Sequence, residues 1–296
     1  MTPHHRSAHA HRCAPTDSLT SQEKKRMRLT QQQADQYHQQ GFLMLESLLD
    51  PQEVESLRAA FERDGKVPGP QVVTEDGGTE VRAVYSSHQR QPEFAGLIRD
   101  PRILEPVQQL LTEDVYLYQF KINAKPAFGG DKWAWHQDFL AWRLADNLPA
   151  PRQVNIGVFL DDVTEFNGPV IFLPGSHQGG LVHEGRSAAA RSEQHLDPDD
   201  ISLSPQHLAE HVDRHGMTSP KGPAGSVVLF SPEIVHGSSP NMSPFARRLL
   251  IATYNDTANL PRPTGEPRPD YVVCRDTEPL RPLAAPFSQT LSTVTA

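Results

Sequence analysis

The first periodic stretches of the chain are helical. Segment 29–42 ("LTQQQADQYHQQGF") has a capping Thr30, a helical run and a Gly stop. Segment 48–65 ("LLDPQEVESLRAAFERDG") has Asp50 as its cap and Pro51 as its first helical residue, and its apolar positions Val54, Leu57 and Phe61 share one helical face. A further helix is expected over residues 101–112. The chain is therefore predicted to begin with helices and to continue mainly with strands.

After this region the pattern changes to short β-branched or aromatic runs bounded by Gly, Pro, Asn or Asp. The runs do not alternate regularly with helices, which argues against a parallel doubly wound sheet. They predict a mainly β fold with flanking helices, a double-stranded β-helix (a cupin-like jelly roll). The predicted strands are "VRAVY", "VYLYQFKI", "VNIGVFL", "PVIFLP", "SVVLF" and "RRLLIATY".

The domain organisation predicted from this pattern is a leader followed by one domain. Residues 1–28 are polar and histidine-rich and are expected to be a disordered leader, with a metal-binding tract as the alternative. Residues 29–296 form the single domain. Within it, the polar insertion 183–215 is long enough to be a lid and has a predicted short helix at 205–211.

Composition narrows the class of partner. The formal net charge of −8 argues against nucleic acid or an anionic membrane as the main partner. There is no run of 18 apolar residues and no apolar signal-peptide core, and Cys13 and Cys274 do not make a disulfide framework. We therefore expect a cytoplasmic monomer or homodimer that acts on a small molecule.

Candidate chemistry begins at "WAWHQDFLAW", residues 133–142, which contains every tryptophan of the chain. If this stretch is a strand, His136 and Asp138 point to the same side and can bind one divalent ion. The two residues alone are a weak signal, because a surface His–Asp pair has the same spacing.

A third ligand is available in "SPEIVHGSSPNMSPFARR". His236 follows an apolar strand and would complete a 2-His-1-carboxylate face of the kind that binds non-haem Fe(II). His177, in the turn-like "PGSHQGG", is the rival ligand, and we expect it to have a structural role or to support a metal ligand instead. Arg247, eleven residues after His236, can hold the carboxylate of an oxo-acid.

The tryptophans are predicted to divide by strand alternation. Trp133 and Trp135 fall on the face opposite His136 and should pack in the core, whereas Trp142 is a candidate to line a pocket. Asn167 and Gly168, in "NGP", are interpreted as turn residues.

At this point the sequence resembles a known family. The pieces "QFKINAKPAFGGDKWAWHQDFLAW", "VNIGVFLDDVTEFNGPVIFLPGSH" and "HGSSPNMSPFARR" are similar to the phytanoyl-CoA dioxygenase family, and most similar within it to ectoine hydroxylases. The likeness runs from about residue 29 to residue 259. It implies a jelly roll that uses Fe(II), the co-substrate 2-oxoglutarate, and O2.

The resemblance also implies a role for individual residues. The iron ligands would be His136, Asp138 and His236. The residues expected to bind 2-oxoglutarate are Arg247, Ser238 and Asn123. Gln119 and Trp142 occupy the places of substrate-binding residues. Asp138 favours hydroxylation, because related halogenases lack this carboxylate.

The chain departs from the ectoine hydroxylases around the expected pocket. Ile251 and Ala252 stand where that group carries phenylalanines, and Ala252 is therefore a candidate substrate contact. Pro232 and Glu233, before His236, also differ. These changes predict a reshaped pocket and a substrate other than ectoine itself.

The sequence is compatible with three functions. The favoured one is a 2-oxoglutarate-dependent dioxygenase that hydroxylates an unactivated C–H bond of a small, polar, amino-acid-like metabolite and releases succinate and CO2. The second uses the same cofactors for desaturation, epoxidation or cyclisation of a natural product. The third is a non-catalytic, metal-bound jelly-roll binding module.

Overall fold

The computed structural model describes residues 27–75, 78–182 and 201–294. All but the last two residues of the predicted leader lie outside this part. So do residues 183–200 of the predicted lid insertion. The rest of the insertion contains the expected helix, which extends over Pro205–His215.

The described chain is mostly sheet with helices around it, as predicted. The helices are α1 Gln31–Gln40, α2 Pro51–Asp64, α3 Pro92–Leu97, α4 Pro101–Leu111, α5 Asp138–Asp146, α6 Pro205–His215 and α7 Phe287–Val294. The strands are β1 Phe42–Leu45, β2 Val72–Thr74, β3 Val81–Tyr85, β4 Val115–Lys125, β5 Trp133–His136, β6 Gln153–Phe159, β7 Val170–Phe172, β8 Val227–Phe230, β9 His236–Ser238 and β10 Arg247–Asp256.

The strands form two antiparallel sheets. The large sheet has the order β1-β8-β6-β10-β4-β3-β2, and the small sheet has the order β5-β9-β7. Apart from β2, β3 and β4, neighbouring strands in both sheets are not consecutive in the chain, as a double-stranded β-helix requires, so the predicted fold is confirmed.

Each face of the large sheet has its own partner. One face packs under α2, α3 and α4 and contributes Ile122, Ile156 and Leu250 to the main hydrophobic core. The other face meets the small sheet, where Phe230 and Leu249 pack against Phe172. The two sheets thus face each other, with β5 and β9 of the small sheet on one side of the gap and β10 of the large sheet on the other.

The first two helices form as their capping residues predict. The Thr30 side chain accepts a hydrogen bond from the backbone N–H of Gln33, and the Gln33 side chain accepts one from the backbone N–H of Thr30. Asp50 and Glu53 form the same reciprocal capping box at the start of α2. Gly41 ends α1 in the left-handed region at φ 81°.

A buried ion cluster ties the helical layer to the C-terminal segment. Arg102 donates to both carboxylate oxygens of Asp100 and to both of Glu53, at 2.7–3.0 Å. The backbone N–H of Phe287 also donates to Asp100, and the Ser288 hydroxyl donates to Glu53. One guanidinium thus compensates two buried carboxylates that also anchor α7.

No helix in residues 27–75, 78–182 and 201–294 is long and apolar enough to cross a membrane.

Arg102→Met is expected to lower the free energy of unfolding by about 3–5 kcal/mol, because it leaves Asp100 and Glu53 buried without a countercharge. Urea denaturation measures the change. Arg63→Met is the matched control, since Arg63 is half exposed in its pair with Glu93 and should cost at most about 1 kcal/mol. Equal losses in the two variants would contradict this account of the cluster.

Candidate active site

Strand pairing brings the two candidate histidines together. His136, the last residue of β5, lies directly opposite His236, the first residue of β9. Directly opposed residues of an antiparallel pair project to the same face of the sheet. Their ring centroids are accordingly 4.3 Å apart.

Asp138 joins the histidines by a different route from the one predicted. The strand ends at His136, and Asp138 is the first residue of α5. Its carboxylate oxygens lie 3.5 Å from Nε2 of His136 and 3.8 Å from Nε2 of His236. The first turn of a helix also favours a negative charge.

The three side chains present their ligand atoms to one point. One ligand atom from each residue lies within 4.8 Å of the others, and no other such group of His, Cys, Asp or Glu exists in the described part of the chain. Nδ1 of His136 contacts the carbonyl of Ala134 at 2.6 Å, and Nδ1 of His236 contacts that of Ile234 at 3.0 Å. Each carbonyl holds the proton on Nδ1 and leaves the Nε2 lone pair for a metal.

Asp138 is in turn held by the large sheet. Asn155 Nδ2 donates to Oδ2 of Asp138 at 2.9 Å, and the Thr253 hydroxyl donates to Asn155 Oδ1 at 2.6 Å. Thr253 and Asn155 are cross-strand partners on β10 and β6. This chain of hydrogen bonds ties the carboxylate to β6 and β10 of the large sheet and orients it.

The protonation states suit a cation site. Burial, together with the nearby His136, lowers the pKa of His236 to about 4, so the imidazole is neutral at neutral pH. Burial works to raise the pKa of Asp138, but the two histidines and Lys121 outweigh it and hold that pKa well below its usual range. A carboxylate and neutral imidazoles are the donor set that a divalent iron ion needs.

Arg247 is a buried cation that has no carboxylate within 4.0 Å in the described chain. Its exposed fraction is 2%, and burial lowers its pKa to about 10. One terminal nitrogen donates to the carbonyl of Gly168 at 2.5 Å, whereas Nε has no hydrogen-bond partner. A buried guanidinium with an unused donor calls for an anion.

Two further buried polar atoms near Arg247 are also without partners in the described chain, the Ser238 hydroxyl and the Asn123 side-chain oxygen. Asn123 is two residues from Lys125, the residue of β4 that lies opposite Arg247. Ser238 lies two residues from His236 and therefore on the same face of β9. All three residues predicted to hold 2-oxoglutarate thus have unused hydrogen-bonding capacity.

The "NGP" turn positions Arg247. The Asn167 side chain accepts a hydrogen bond from the backbone N–H of Thr164 and donates one to the carbonyl of Asp162. Asn167 therefore stabilises a turn, as predicted. Gly168 has φ 70°, and a Cβ there would lie 2.6 Å from the carbonyl oxygen of Ser239. Only glycine fits this turn, which directs the Gly168 carbonyl at the guanidinium.

A cavity of about 50 Å³ opens beside the three candidate ligands. Polar and aromatic side chains line it, and these include the predicted substrate contacts Gln119 and Trp142. Its lining beyond the ligands His136 and Asp138 is Tyr85, Gln119, Lys121, Trp133, Ala141, Trp142, Ile201, Arg268 and Val272.

The prediction for Trp133 was wrong. Pairing runs from Trp133↔Ser238 to His136↔His236, so three steps along β5 match two along β9. The extra residue is a bulge that reverses the alternation and turns Trp133 into the cavity. Trp135 does pack in a core, against Leu173 and Val235.

Ala252, a predicted substrate contact, is not brought to the cavity. It faces the helices within the main hydrophobic core, because the inward positions of β10 are the odd-numbered ones that include Thr253. Its neighbour Ile251 lies on the inward face and packs between the sheets.

His177 lies away from the three candidate ligands. Its Nε2 contacts the carbonyl of His38 at 3.0 Å, and its ring packs on Gly41 at the end of α1. This is the structural role that the sequence favoured for it.

Sequence reasoning missed two cations of the cavity. Lys121 lies midway between Gln119 and Asn123 on β4, so strand alternation could have found it. Arg268 comes from the Pro-rich segment after the last strand, where no periodicity marks it. It forms an ion pair with Asp146 at the end of α5 and contacts the Tyr118 hydroxyl.

Comparison with known proteins decides the family. The model of the phytanoyl-CoA dioxygenase (PhyH) family matches residues 37–249. This chain belongs to that family. L-proline trans-4-hydroxylase of Streptomyces griseoviridis is 38% identical over 254 residues, which cover 84% of this chain and 94% of the relative.

Ectoine dioxygenases are similar to about the same extent. That of Bordetella bronchiseptica is 35% identical over 269 residues, 86% of each chain. The crystal structure of EctD from S. alaskensis with 2-oxoglutarate and 5-hydroxyectoine superposes with a TM-score of 0.72, at 29% identity over 87% of this chain and 86% of that one. The same enzyme with bound Fe gives a TM-score of 0.75, at 30% identity over 88% and 89%.

This member of the phytanoyl-CoA dioxygenase family is therefore a 2-oxoglutarate-dependent dioxygenase, with iron and 2-oxoglutarate as its cofactors. The structure supplies a donor set that suits iron and three unused polar groups that suit the co-substrate.

Asn155→Ala is expected to weaken metal binding about 10- to 100-fold, because Asp138 loses the hydrogen bond that orients it. Anaerobic titration with Fe(II), or with Co(II) as a stable substitute, measures the affinity. Gln153→Ala removes an amide two residues away on β6 that donates to Asn255 and not to Asp138. The two variants losing the same affinity would show that Asn155 does not act through Asp138.

Proposed function

We propose that the protein hydroxylates an unactivated C–H bond of a small, polar, amino-acid-like metabolite, with 2-oxoglutarate converted to succinate and CO2. The observation that carries the proposal is the small polar cavity next to the 2-His-1-carboxylate group. The similarity to an L-proline hydroxylase and to ectoine dioxygenases supports a substrate of this size and polarity.

In this proposal His136, Asp138 and His236 hold the iron on one face of the site. The bound iron, with 2-oxoglutarate and O2, supplies the oxidising chemistry. The protein keeps both imidazoles in the tautomer that binds through Nε2, and it orients the carboxylate of Asp138 through Asn155.

Arg247 receives the distal carboxylate of 2-oxoglutarate, and Ser238 and Asn123 supply further hydrogen bonds to the co-substrate. Support comes from the unused Nε of Arg247 and from the unpaired atoms of the other two side chains. Lys125, opposite Arg247, is not counted among these partners, because its side-chain nitrogen already donates to the carbonyls of Asp131 and Ser239 and because burial and Arg247 lower its pKa to about 7.

Gln119 and Trp142 contact the substrate in the cavity. The amide of Gln119 lies on the inward face of β4, opposite Thr253. Trp142 projects from the second turn of α5 and packs edge-to-face on Tyr118, which fixes its ring as a wall. Together with Trp133 it shields the reacting centre from water.

The test of this function is succinate formation with a panel of free amino acids, L-proline and ectoine. The expected product of a true substrate gains about 16 mass units, whereas desaturation or ring closure loses about 2, and NMR separates hydroxylation from epoxidation. His136→Ala is expected to give no substrate-dependent succinate. Full activity in that variant, or no succinate with any compound of the panel, would contradict the proposal.

A further inference from the structure

Lys121 projects into the substrate cavity from the middle of β4. It lies opposite Ile251 of β10 and Tyr85 of β3, so its stem is flanked on both sides by other side chains. Its ammonium is 5.8 Å from the ring centre of Trp133 and lines the same cavity as Gln119.

The ammonium of Lys121 makes no hydrogen bond or ion pair to any residue of the described chain. The neighbouring inward lysine differs, because Lys125 donates to the carbonyls of Asp131 and Ser239. Arg268, the other cation of the cavity, is also satisfied, because Asp146 accepts hydrogen bonds from its guanidinium. Lys121 is thus the cavity cation that keeps its full hydrogen-bonding capacity.

The surroundings of Lys121 are unfavourable to a positive charge unless an anion is added. Burial lowers its pKa and the like charge of Arg268 lowers it further, while Asp138 alone opposes them. Asp138 lies 3.5 Å and 3.8 Å from the two histidines with which it would hold the iron, so its charge is not reserved for Lys121. A ligand with its own negative charge would restore the balance.

2-Oxoglutarate is already provided for elsewhere. Its expected partners Arg247, Ser238 and Asn123 have unused polar atoms of their own, and Arg247 lies six residues along β10 from Thr253, the residue opposite Gln119. Lys121 instead shares its cavity with Gln119, Trp142 and Arg268. The anion that meets it is therefore part of the substrate.

We propose that Lys121 binds the carboxylate of the substrate, so that the enzyme selects free amino or imino acids over their amides. The inference rests on the proposed function and narrows its substrate class to carboxylates. Lys121 then determines specificity by charge, while Gln119 and Trp142 determine it by shape and hydrogen bonding.

The test compares L-proline with L-prolinamide, which differ in the carboxylate, by anaerobic calorimetric titration of the protein loaded with Fe(II) and 2-oxoglutarate. Ectoine serves as a second carboxylate probe. Wild-type protein is expected to bind the carboxylates and to bind prolinamide about 10- to 100-fold more weakly. Lys121→Met is expected to weaken carboxylate binding by the same factor and to leave prolinamide binding unchanged.

Two controls separate this role from a general one. Lys66→Met makes the same substitution at an exposed position and should change no affinity. The affinity of Lys121→Met for 2-oxoglutarate, titrated without substrate, should equal that of the wild type. A loss confined to 2-oxoglutarate would overturn the proposal by making Lys121 a co-substrate anchor.

The proposal is also overturned if wild-type protein binds prolinamide as tightly as proline, if Lys121→Met binds proline normally, or if neither carboxylate binds wild-type protein. Failure of the proposed function looks different, since it is an absence of succinate across the whole panel. Succinate formation with a carboxylate whose KM does not respond to Lys121→Met would defeat this inference alone.

Discussion

The site depends on one constraint, the antiparallel register that places His136 opposite His236. Because opposed residues share a face, the pairing of two short strands brings together imidazoles that are 100 positions apart in the chain. Asp138 can reach them because β5 ends at His136 and α5 begins two residues later. A shift of one residue in this register would turn one imidazole to the opposite face and abolish the site.

The small sheet supplies the two histidines, and the large sheet supplies the polar residues around them. On its inward face, Asn155 and Thr253 support Asp138. Gln119 and Lys121 line the cavity. Asn123 and Arg247 lie farther along β4 and β10. Polar residues on an inward face lose their contacts with water, so each needs a partner. Asn155 and Thr253 find theirs within the protein, whereas Arg247, Ser238 and Asn123 keep unused atoms. Within the site, Asn155 and Thr253 therefore support Asp138, whereas the unused atoms of Arg247, Ser238 and Asn123 suit the proposed co-substrate.

The sequence predicted the features that depend on local pattern. The capping residues predicted α1 and α2, and the β-branched runs predicted most strands of the large sheet. The motifs identified the three candidate ligands and Arg247. Features that depend on pairing were out of reach. The bulge in β5 turned Trp133 into the cavity against simple alternation, and Ala252 proved to face the helices. Arg268 reaches the cavity from an irregular segment, where only the folded chain shows its position.

His136, Asp138 and His236 are expected to form one iron site. The most direct measurement is the Fe(II) stoichiometry and affinity of the anaerobic protein, compared between His236→Ala and His177→Ala. The account predicts one iron per wild-type chain, the same for His177→Ala, and loss of tight binding for His236→Ala. Tight binding retained by His236→Ala and lost by His177→Ala would contradict it.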